Sequence, residues 1–388
     1  MTSSSQALEG ASERRPWPWR LRSAPAALGA LRLAADPSIA RLAARRLGKS
    51  CLFASSLFLF VLAILLLREG ARALAPELGG VLTVHGVHDG LGLGWLLSYA
   101  VLSGSPIAAT ALAFLDAGVL TEVSAFSMIT GSRLGAAFMV LLIGFARMLR
   151  GHDRATCLSM GLLSLTVTGT TYVAAMAIGL TLLRSGALDP WQPSSALAVG
   201  SVVDAMYQPL VRQLTGHLPG LALFPVGLLL VMASFAMFDR SLPQVAIRDS
   251  RVGRVSRLVY RPWAMFALGA GVTLVSMSVS LSLSILVPLS ARGYIRRENV
   301  IPYIMGANIT TFADTLLAAV LIGSASAFTV VTVEVVSVAT VSALILTLCY
   351  DRYSRVMLAG VSWATASNRN IVLFLLAMFA VPIALLVL

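Results

Sequence analysis

The sequence predicts an all-α polytopic membrane protein made of two inverted-topology repeats, each with a broken, re-entrant helical hairpin. Three observations predict this fold. Of the 388 residues, 57% are hydrophobic and only 12% are charged, about half the charged share of a soluble domain. Basic residues collect in alternate connecting segments. A pattern of serines and glycines also recurs after 175 residues.

The charge pattern fixes the expected surroundings and orientation. A mean hydropathy of +0.85 makes a lipid bilayer the main solvent of this chain. The net charge is +12, and the basic excess falls in 1–50, 147–154, 240–261, 292–297 and 352–369, as the positive-inside rule expects of cytoplasmic segments. This distribution argues against a nucleic-acid partner and predicts a multi-pass protein of the inner (plasma) membrane.

The N-terminal part is expected to be a cytoplasmic tail followed by the first span. Residues 1–50 are rich in Arg, Ala, Ser and Pro, and we predict a partly disordered tail with a short basic helix at 37–49. Residues 51–67 form an uninterrupted apolar run, long enough to cross a bilayer. The Gly-rich stretch 68–94 is then predicted to be an outer loop.

A broken apolar segment follows at 92–116. Gly104 and Pro106 interrupt it, because proline removes a backbone donor and kinks a helix. Two half-helices of about ten residues each cannot cross a hydrocarbon core of about 30 Å. A re-entrant hairpin is therefore favoured over a single span.

The remaining elements repeat this plan in the opposite orientation. Repeat 1 is expected at 51–216 and repeat 2 at 217–388, with the second hairpin at 263–290 and basic residues at both of its ends. Inverted repeats with broken helices are typical of secondary transporters, whose substrate site lies at the repeat interface. The other predicted helices are spans at 122–147, 155–183, 221–238, 299–322, 327–349 and 371–388, an interfacial helix at 196–216, and an inner loop at 351–355.

Small polar residues mark both breaks. The shift of 175 places Ser103 on Ser278, Ser105 on Ser280, Gly118 on Gly293 and Gly131 on Gly306. Hydroxyl groups supply donors and acceptors without charge, and the free ends of broken helices attract ions. Small polar residues also let helices pack closely, which is the structural alternative. We favour a binding site, because the clusters occupy equivalent positions.

The segment from Gly306 to Thr311 resembles the Gly-Ala-Asn-Ile-Gly-Thr-Thr segment of the sodium–phosphate cotransporter family, type II and bacterial. By register, 102–105 and 277–280 occupy the positions of that family's two Gln-Ser-Ser-Ser motifs. The resemblance implies Na⁺-coupled symport of inorganic phosphate by alternating access, with no other cofactor. On this basis we expect Ser103, Gly104, Ser105, Ser278 and Ser280 to bind the substrate, and we add Arg133 because of its charge. The expected ion-binding residues are Asn308, Thr310, Thr311 and Ser276.

This sequence departs from the family pattern at its most informative positions. Leu102 and Met277 replace the two glutamines, and Arg133 stands where the first-half asparagine is expected. A guanidinium repels a nearby cation but binds an oxyanion in bidentate fashion. The alternatives are a carrier of another oxyanion with altered or no Na⁺ coupling, or a membrane scaffold or sensor that does not transport.

Three charged residues near the middle of apolar spans are the second functional signal. Arg133, Asp314 and Glu334 would each cost roughly 2.5–3.5 kcal/mol at a helix centre, so each is expected to face a partner or a wet cavity. Such residues either form a structural ion-pair network or take part in transport.

An enzymatic function is not expected. An intramembrane metalloprotease needs a His-Glu-x-x-His motif, and a serine protease needs a His or Lys beside its Ser within the spans. The four histidines lie in predicted loops or near helix ends. The three cysteines are widely spaced and give no metal-ligand pattern. We therefore predict neither catalytic nor metal-ligating residues.

The topology can be tested by cysteine labelling. In a background without native cysteines, Gly80→Cys should react with a membrane-impermeant thiol reagent in intact cells, and Ser250→Cys should react only after the membrane is opened. The physical reason is that basic segments remain in the cytoplasm. The reverse labelling pattern would contradict the predicted orientation.

Overall fold

The structure is a computed structural model that describes residues 37–78, 86–151, 154–191, 194–241, 261–279, 282–283 and 295–388. Every regular element within these ranges is helical, which confirms the predicted all-α class. The chain divides into two compact units, Met1–Cys51 and Leu52–Leu388. In the described ranges, seven helical segments are long and apolar enough to cross a membrane, as many as the sequence predicts.

The helices fall into long spans and shorter pieces. In chain order they are α1 (Pro37–Leu78), α2 (Val87–Val101), α3 (Ser105–Asp116), α4 (Glu122–Leu149), α5 (Arg154–Ser185), α6 (Ser194–His217), α7 (Gly220–Ser241), α8 (Pro262–Ser276), α9 (Arg297–Thr310), α10 (Ala313–Ile322), α11 (Ala325–Leu344), α12 (Tyr350–Ala366) and α13 (Asn368–Val387). A π-helical turn, Ile345–Cys349, joins α11 to α12.

The two predicted breaks end in the same unusual backbone conformation. α2 ends at Leu102 with φ 57°, and α8 ends at Met277 with φ 48°. In the described part of the chain these are the two non-glycine residues with positive φ. A left-handed residue ends a helix, but it costs a non-glycine residue about 1–2 kcal/mol. Each break is therefore marked by a residue in the left-handed conformation. The shift of 175 places Leu102 on Met277.

The helices that flank the breaks cross their neighbours at backbone contact distance. α2 crosses α4, and α8 crosses α9. At each crossing, a Cβ added to either of two glycines would lie 2.0–2.1 Å from a carbonyl oxygen of the opposing helix. The glycines are Gly94 and Gly131 at the first crossing and Gly269 and Gly306 at the second. Small residues allow this approach between membrane helices, and the shift of 175 also relates these two pairs.

The short helix α3 lies inside the protein. Residues Pro106–Ala113 are all buried, and α3 packs in a core that also includes Ile64, Phe126, Phe312 and Val331. A segment too short to cross a bilayer is tolerated at membrane depth when protein surrounds it. The first break therefore places Ser103, Gly104 and Ser105 beside the central helices.

Two predicted loops are helical instead. The helices expected at 37–49 and 51–67 are one helix, α1, which continues to Leu78, so the outer loop predicted at 68–94 is wrong over most of its length. Arg68, the first residue after the apolar run, forms an ion pair with Asp204. The inner loop predicted at 351–355 is likewise part of α12.

The span predicted at 299–322 is interrupted after Thr310. Thr311 and Phe312 separate α9 from α10, whereas the corresponding Ala136 and Ala137 lie within the continuous helix α4. The sequence analysis did not predict this break. Asp314 lies in the first turn of α10 and is buried.

The crossing glycines provide a test of the packing. Gly306→Ala should lower the free energy of unfolding by about 1–3 kcal/mol or more, because the added methyl group would meet the Phe266 carbonyl. Gly271→Ala is the matched control, since its Cβ would have nothing within 4 Å, and it should be neutral or slightly stabilising. Thermal unfolding in detergent measures both. Equal melting temperatures for the two variants would contradict the close crossing.

Candidate functional site

The two breaks meet at one cavity of about 90 Å³. Both left-handed residues, Leu102 and Met277, line it. A cavity of this volume holds several water molecules. Its lining includes six hydroxyl groups, one amide, one guanidinium and one carboxylate, from Ser103, Ser105, Thr168, Tyr172, Ser278, Thr311, Asn308, Arg133 and Asp239. The predicted site residues of the two halves are therefore brought together around one space.

Arg133 is the buried cation of this cavity. Its side chain projects from α4, and the residue is 5% exposed. One guanidinium nitrogen, Nη1, donates to Ser105 Oγ at 3.2 Å and to Thr311 Oγ1 at 3.4 Å. The guanidinium also lies 4.9 Å from the ring centre of Phe312, a favourable cation–π position. Arg133 thus links the first break to the interruption between α9 and α10.

Asp314 supplies the counter-charge. Arg133 Nη2 lies 3.3 Å from Asp314 Oδ1, and both side chains are almost completely buried. Nη2 also donates to the Thr315 hydroxyl. Asp314 Oδ1 further accepts from the backbone N–H and hydroxyl of Thr315. Charge-assisted contacts of this type compensate the burial of both ions.

The pair is not fully satisfied. Among the described residues, Arg133 Nε and Asp314 Oδ2 are buried polar atoms without a hydrogen-bond partner. Each such atom is costly in a low-dielectric surrounding. Asp314 also lines a second, smaller cavity of about 50 Å³, which shares Phe235 and Met277 with the first. Apart from Asp314, Ser56 and Ser234, the lining of this smaller cavity is apolar.

Asn308 is held by neighbouring hydroxyls. It is 3% exposed, and its side-chain amide donates to Thr168 Oγ1 at 3.1 Å. Its backbone carbonyl accepts from the Tyr172 hydroxyl at 3.0 Å. The amide is therefore oriented by α5, a helix for which the sequence analysis assigned no site residue.

Two predicted site residues do not line the cavity, and a third lies outside the described residues. The Thr310 hydroxyl donates to the Gly306 carbonyl of its own helix at 3.3 Å. The Ser276 hydroxyl donates to the Ser278 carbonyl at 3.2 Å and so stabilises the break. Ser280 lies outside the described residues. Asn308 and Thr311 are three positions apart and share one helix face. Thr310 lies between them in sequence and projects from a different face.

The lining also includes residues that sequence reasoning missed. Thr168 and Tyr172 lie four positions apart on α5 and therefore share one helix face. Asp239 is an exposed residue near the end of α7, beside the basic segment 240–261. The cavity therefore extends to the C-terminal end of α7. The sequence feature that could have indicated Thr168 is the run of threonines in α5. The shift of 175 relates this run to no similar run in the second half.

Glu334 completes the group of central charges. It is 1% exposed, and its carboxylate accepts from the Thr130 hydroxyl. Thr130 lies one helical turn before Arg133 on α4. The two predicted central carboxylates therefore differ, because Asp314 contacts the guanidinium while Glu334 is bound by a hydroxyl.

Ion pairs also join the helix ends on the side that the sequence predicts to be external. Arg68 on α1 contacts Asp204 on α6 at 3.0 Å and donates to the Ile322 carbonyl at the end of α10. Arg72 contacts Asp116 at the end of α3 at 3.0 Å. These contacts hold α1, α3, α6 and α10 together at one end of the molecule.

No protein-family model, curated protein or solved structure matches this chain.

The central ion pair can be measured by a double-mutant cycle. Arg133→Gln and Asp314→Asn should each destabilise the protein by about 3–5 kcal/mol, because each leaves an uncompensated buried charge. The double variant should recover much of this loss, since neither charge remains. Arg72→Gln, at a more exposed pair whose arginine side chain is 48% exposed, is the control and should cost about 1 kcal/mol. Additive effects of the two single changes in thermal unfolding would contradict the coupling.

Proposed function

We propose that this protein is a secondary active transporter that carries inorganic phosphate, or a chemically similar oxyanion, by alternating access. The observation that carries the proposal is the convergence of two equivalent helix breaks on one polar cavity whose charged centre is Arg133. Scaffold proteins have no need of a cavity at membrane depth lined by hydroxyls and a guanidinium. Broken helices around a central site are typical of secondary transporters.

The donors around the cavity suit an oxyanion. α3 begins at Ser105, and the first turn of a helix carries N–H groups without partners within the helix, which favour anions. Arg133 Nη1 is directed to the same place, since it contacts Ser105 Oγ at 3.2 Å. Hydroxyls of Ser103, Ser278 and Thr311 also line the cavity. A tetrahedral oxyanion accepts hydrogen bonds on every side, so these donors complement it.

The repeat arrangement belongs to this proposal. Residues related by the shift of 175 have the same backbone role, as with Leu102 and Met277 at the breaks and Gly131 and Gly306 at the crossings. We infer that the halves are inverted structural repeats and that the family likeness to sodium–phosphate cotransporters reflects this shared plan. The cavity then lies at the interface that alternating access requires.

The contacts at the two ends of the molecule differ in a way that would open the cavity to one side of the membrane only. Asp239 connects the cavity to the predicted cytoplasmic end, while the ion pairs of Arg68 and Arg72 join four helices at the opposite end. We infer that the structure represents a state closed on the outer side. Transport would then require these outer ion pairs to separate.

Na⁺ coupling stays a prediction of the family likeness. Thr311, an expected Na⁺ ligand, lies 3.4 Å from the Arg133 guanidinium, and a positive charge at this distance disfavours a cation. We therefore assign Thr311 and Asn308 to the oxyanion side of the site.

Uptake of radiolabelled phosphate into proteoliposomes tests the transport function. The purified protein should give saturable uptake, and Ser105→Ala should raise the phosphate concentration needed by roughly five- to a hundredfold, because a buried hydrogen bond to a charged ligand is lost. Ser185→Ala is the control, since its hydroxyl donates only to the Leu182 carbonyl of its own helix at 2.9 Å.

Two further outcomes decide the proposal. Saturable uptake of radiolabelled sulfate or arsenate, with no uptake of phosphate, would assign the site to another oxyanion. Absence of both binding and uptake for every oxyanion tested, under imposed Na⁺ or pH gradients, would refute the transporter proposal.

A further inference from the structure

The central ion pair blocks the site that the oxyanion must use. In the described structure Arg133 Nη2 contacts Asp314 Oδ1, and its other nitrogen, Nη1, contacts hydroxyls of the cavity lining. A guanidinium bound to a carboxylate presents fewer donors to a second anion. The arriving oxyanion and the Asp314 carboxylate are therefore competitors for the same cation.

The local charge makes this competition severe. Two buried carboxyl groups lie near Arg133, namely Asp314 by direct contact and Glu334 through Thr130 one turn away; the exposed Asp239 lines the same cavity. If Asp314 and Glu334 are both ionised, the buried groups carry a net negative charge before any ligand enters. Adding an oxyanion at membrane depth would then be opposed by repulsion in a medium of low dielectric. Removal of one negative charge would relieve this opposition.

We propose that Asp314 is the proton-binding group of an H⁺-coupled oxyanion carrier, in which the oxyanion replaces Asp314 at Arg133 only when Asp314 is protonated. The inference rests on the proposed transport function and deepens it by naming the coupling ion. A proton from water forms an O–H bond on the Asp314 carboxylate, and the ion pair with Arg133 is lost. The oxyanion then accepts hydrogen bonds from the freed N–H groups of Arg133. When the oxyanion leaves, the proton returns to water and the ion pair forms again.

The geometry favours Asp314 over its neighbours. Asp314 contacts the guanidinium that the ligand needs, and its Oδ2 atom is buried without a partner, a position open to a proton. It lines the cavity of about 50 Å³ that adjoins the main one and also contains Ser56 and Ser234. Most of the lining of this space is apolar, so exchange of the proton would take place by way of the adjoining polar cavity around Arg133.

The other titratable groups around Asp314 have different positions. Tyr172 from α5 lines the main cavity, with its hydroxyl bound to the Asn308 carbonyl. Glu334 from α11 is bound by the Thr130 hydroxyl and contacts neither described cavity. Asp239 from α7 is exposed at the cavity mouth. Of the three carboxyl groups, only protonation of Asp314 directly frees the Arg133 donors.

Phosphate binding to the purified full-length protein at several pH values tests the proposal. The buffers contain potassium and no sodium, and affinity is expressed against the concentration of the phosphate monoanion. Wild-type affinity should fall with rising pH, by about tenfold per pH unit at the steepest part of the profile, as one-proton linkage requires. The affinity of Asp314→Asn should be independent of pH, because its amide neither takes up a proton nor competes as an anion.

Glu334→Gln and Asp239→Asn are the matched controls, and both should keep the wild-type pH slope. Loss of the slope in either control would overturn the assignment to Asp314. If Asp314→Asn does not fold, the wild type and these controls still test the proposal. A wild-type phosphate affinity that does not depend on pH would overturn it. A pH gradient imposed on Na⁺-free proteoliposomes should also drive phosphate uptake in the wild type.

The outcome separates this inference from the transport proposal. Saturable phosphate uptake that needs Na⁺ and ignores the pH gradient would overturn H⁺ coupling while leaving the transporter intact. Absence of phosphate binding at every pH would instead refute the proposed function itself.

Discussion

A guanidinium at membrane depth needs a counter-charge, and the arrangement around Arg133 follows from that need. Asp314, in the first turn of α10, lies 3.3 Å from it. Thr311 and Phe312, the two residues between α9 and α10, also contact the guanidinium. One short stretch of the chain therefore supplies the counter-charge, a hydroxyl and an aromatic ring to Arg133.

The breaks themselves depend on close helix crossings. Leu102 and Met277 adopt left-handed conformations that a non-glycine residue reaches only when its surroundings compensate the strain. Glycines at the crossings let α2 and α8 lie against α4 and α9 at backbone distance. This packing fixes the ends of the helices, so the polar groups of both breaks face the same cavity rather than lipid.

A buried ion pair beside a polar cavity combines stability with the capacity to change. A buried ion pair is weak evidence for net stability, because desolvation offsets most of its attraction. Its two orphaned atoms, Arg133 Nε and Asp314 Oδ2, show that the described arrangement leaves binding capacity unused. An ion pair that is only marginally favourable can be exchanged for a ligand at low cost, which is what a carrier requires and a rigid scaffold does not.

The sequence by itself determined the all-α class and the number of apolar spans, because hydrophobic length and basic flanks are local properties. It also located both breaks, since Pro106 and the serines near 278 interrupt apolar runs directly. Only the tertiary structure decided that Arg133 pairs with Asp314 rather than Glu334, because these residues are 181 and 201 positions apart in sequence. The contributions of Thr168, Tyr172 and Asp239, and the interruption between α9 and α10, likewise arise from packing. Local sequence patterns do not specify which helices pack against each other, and this packing brings the residues of the candidate site together.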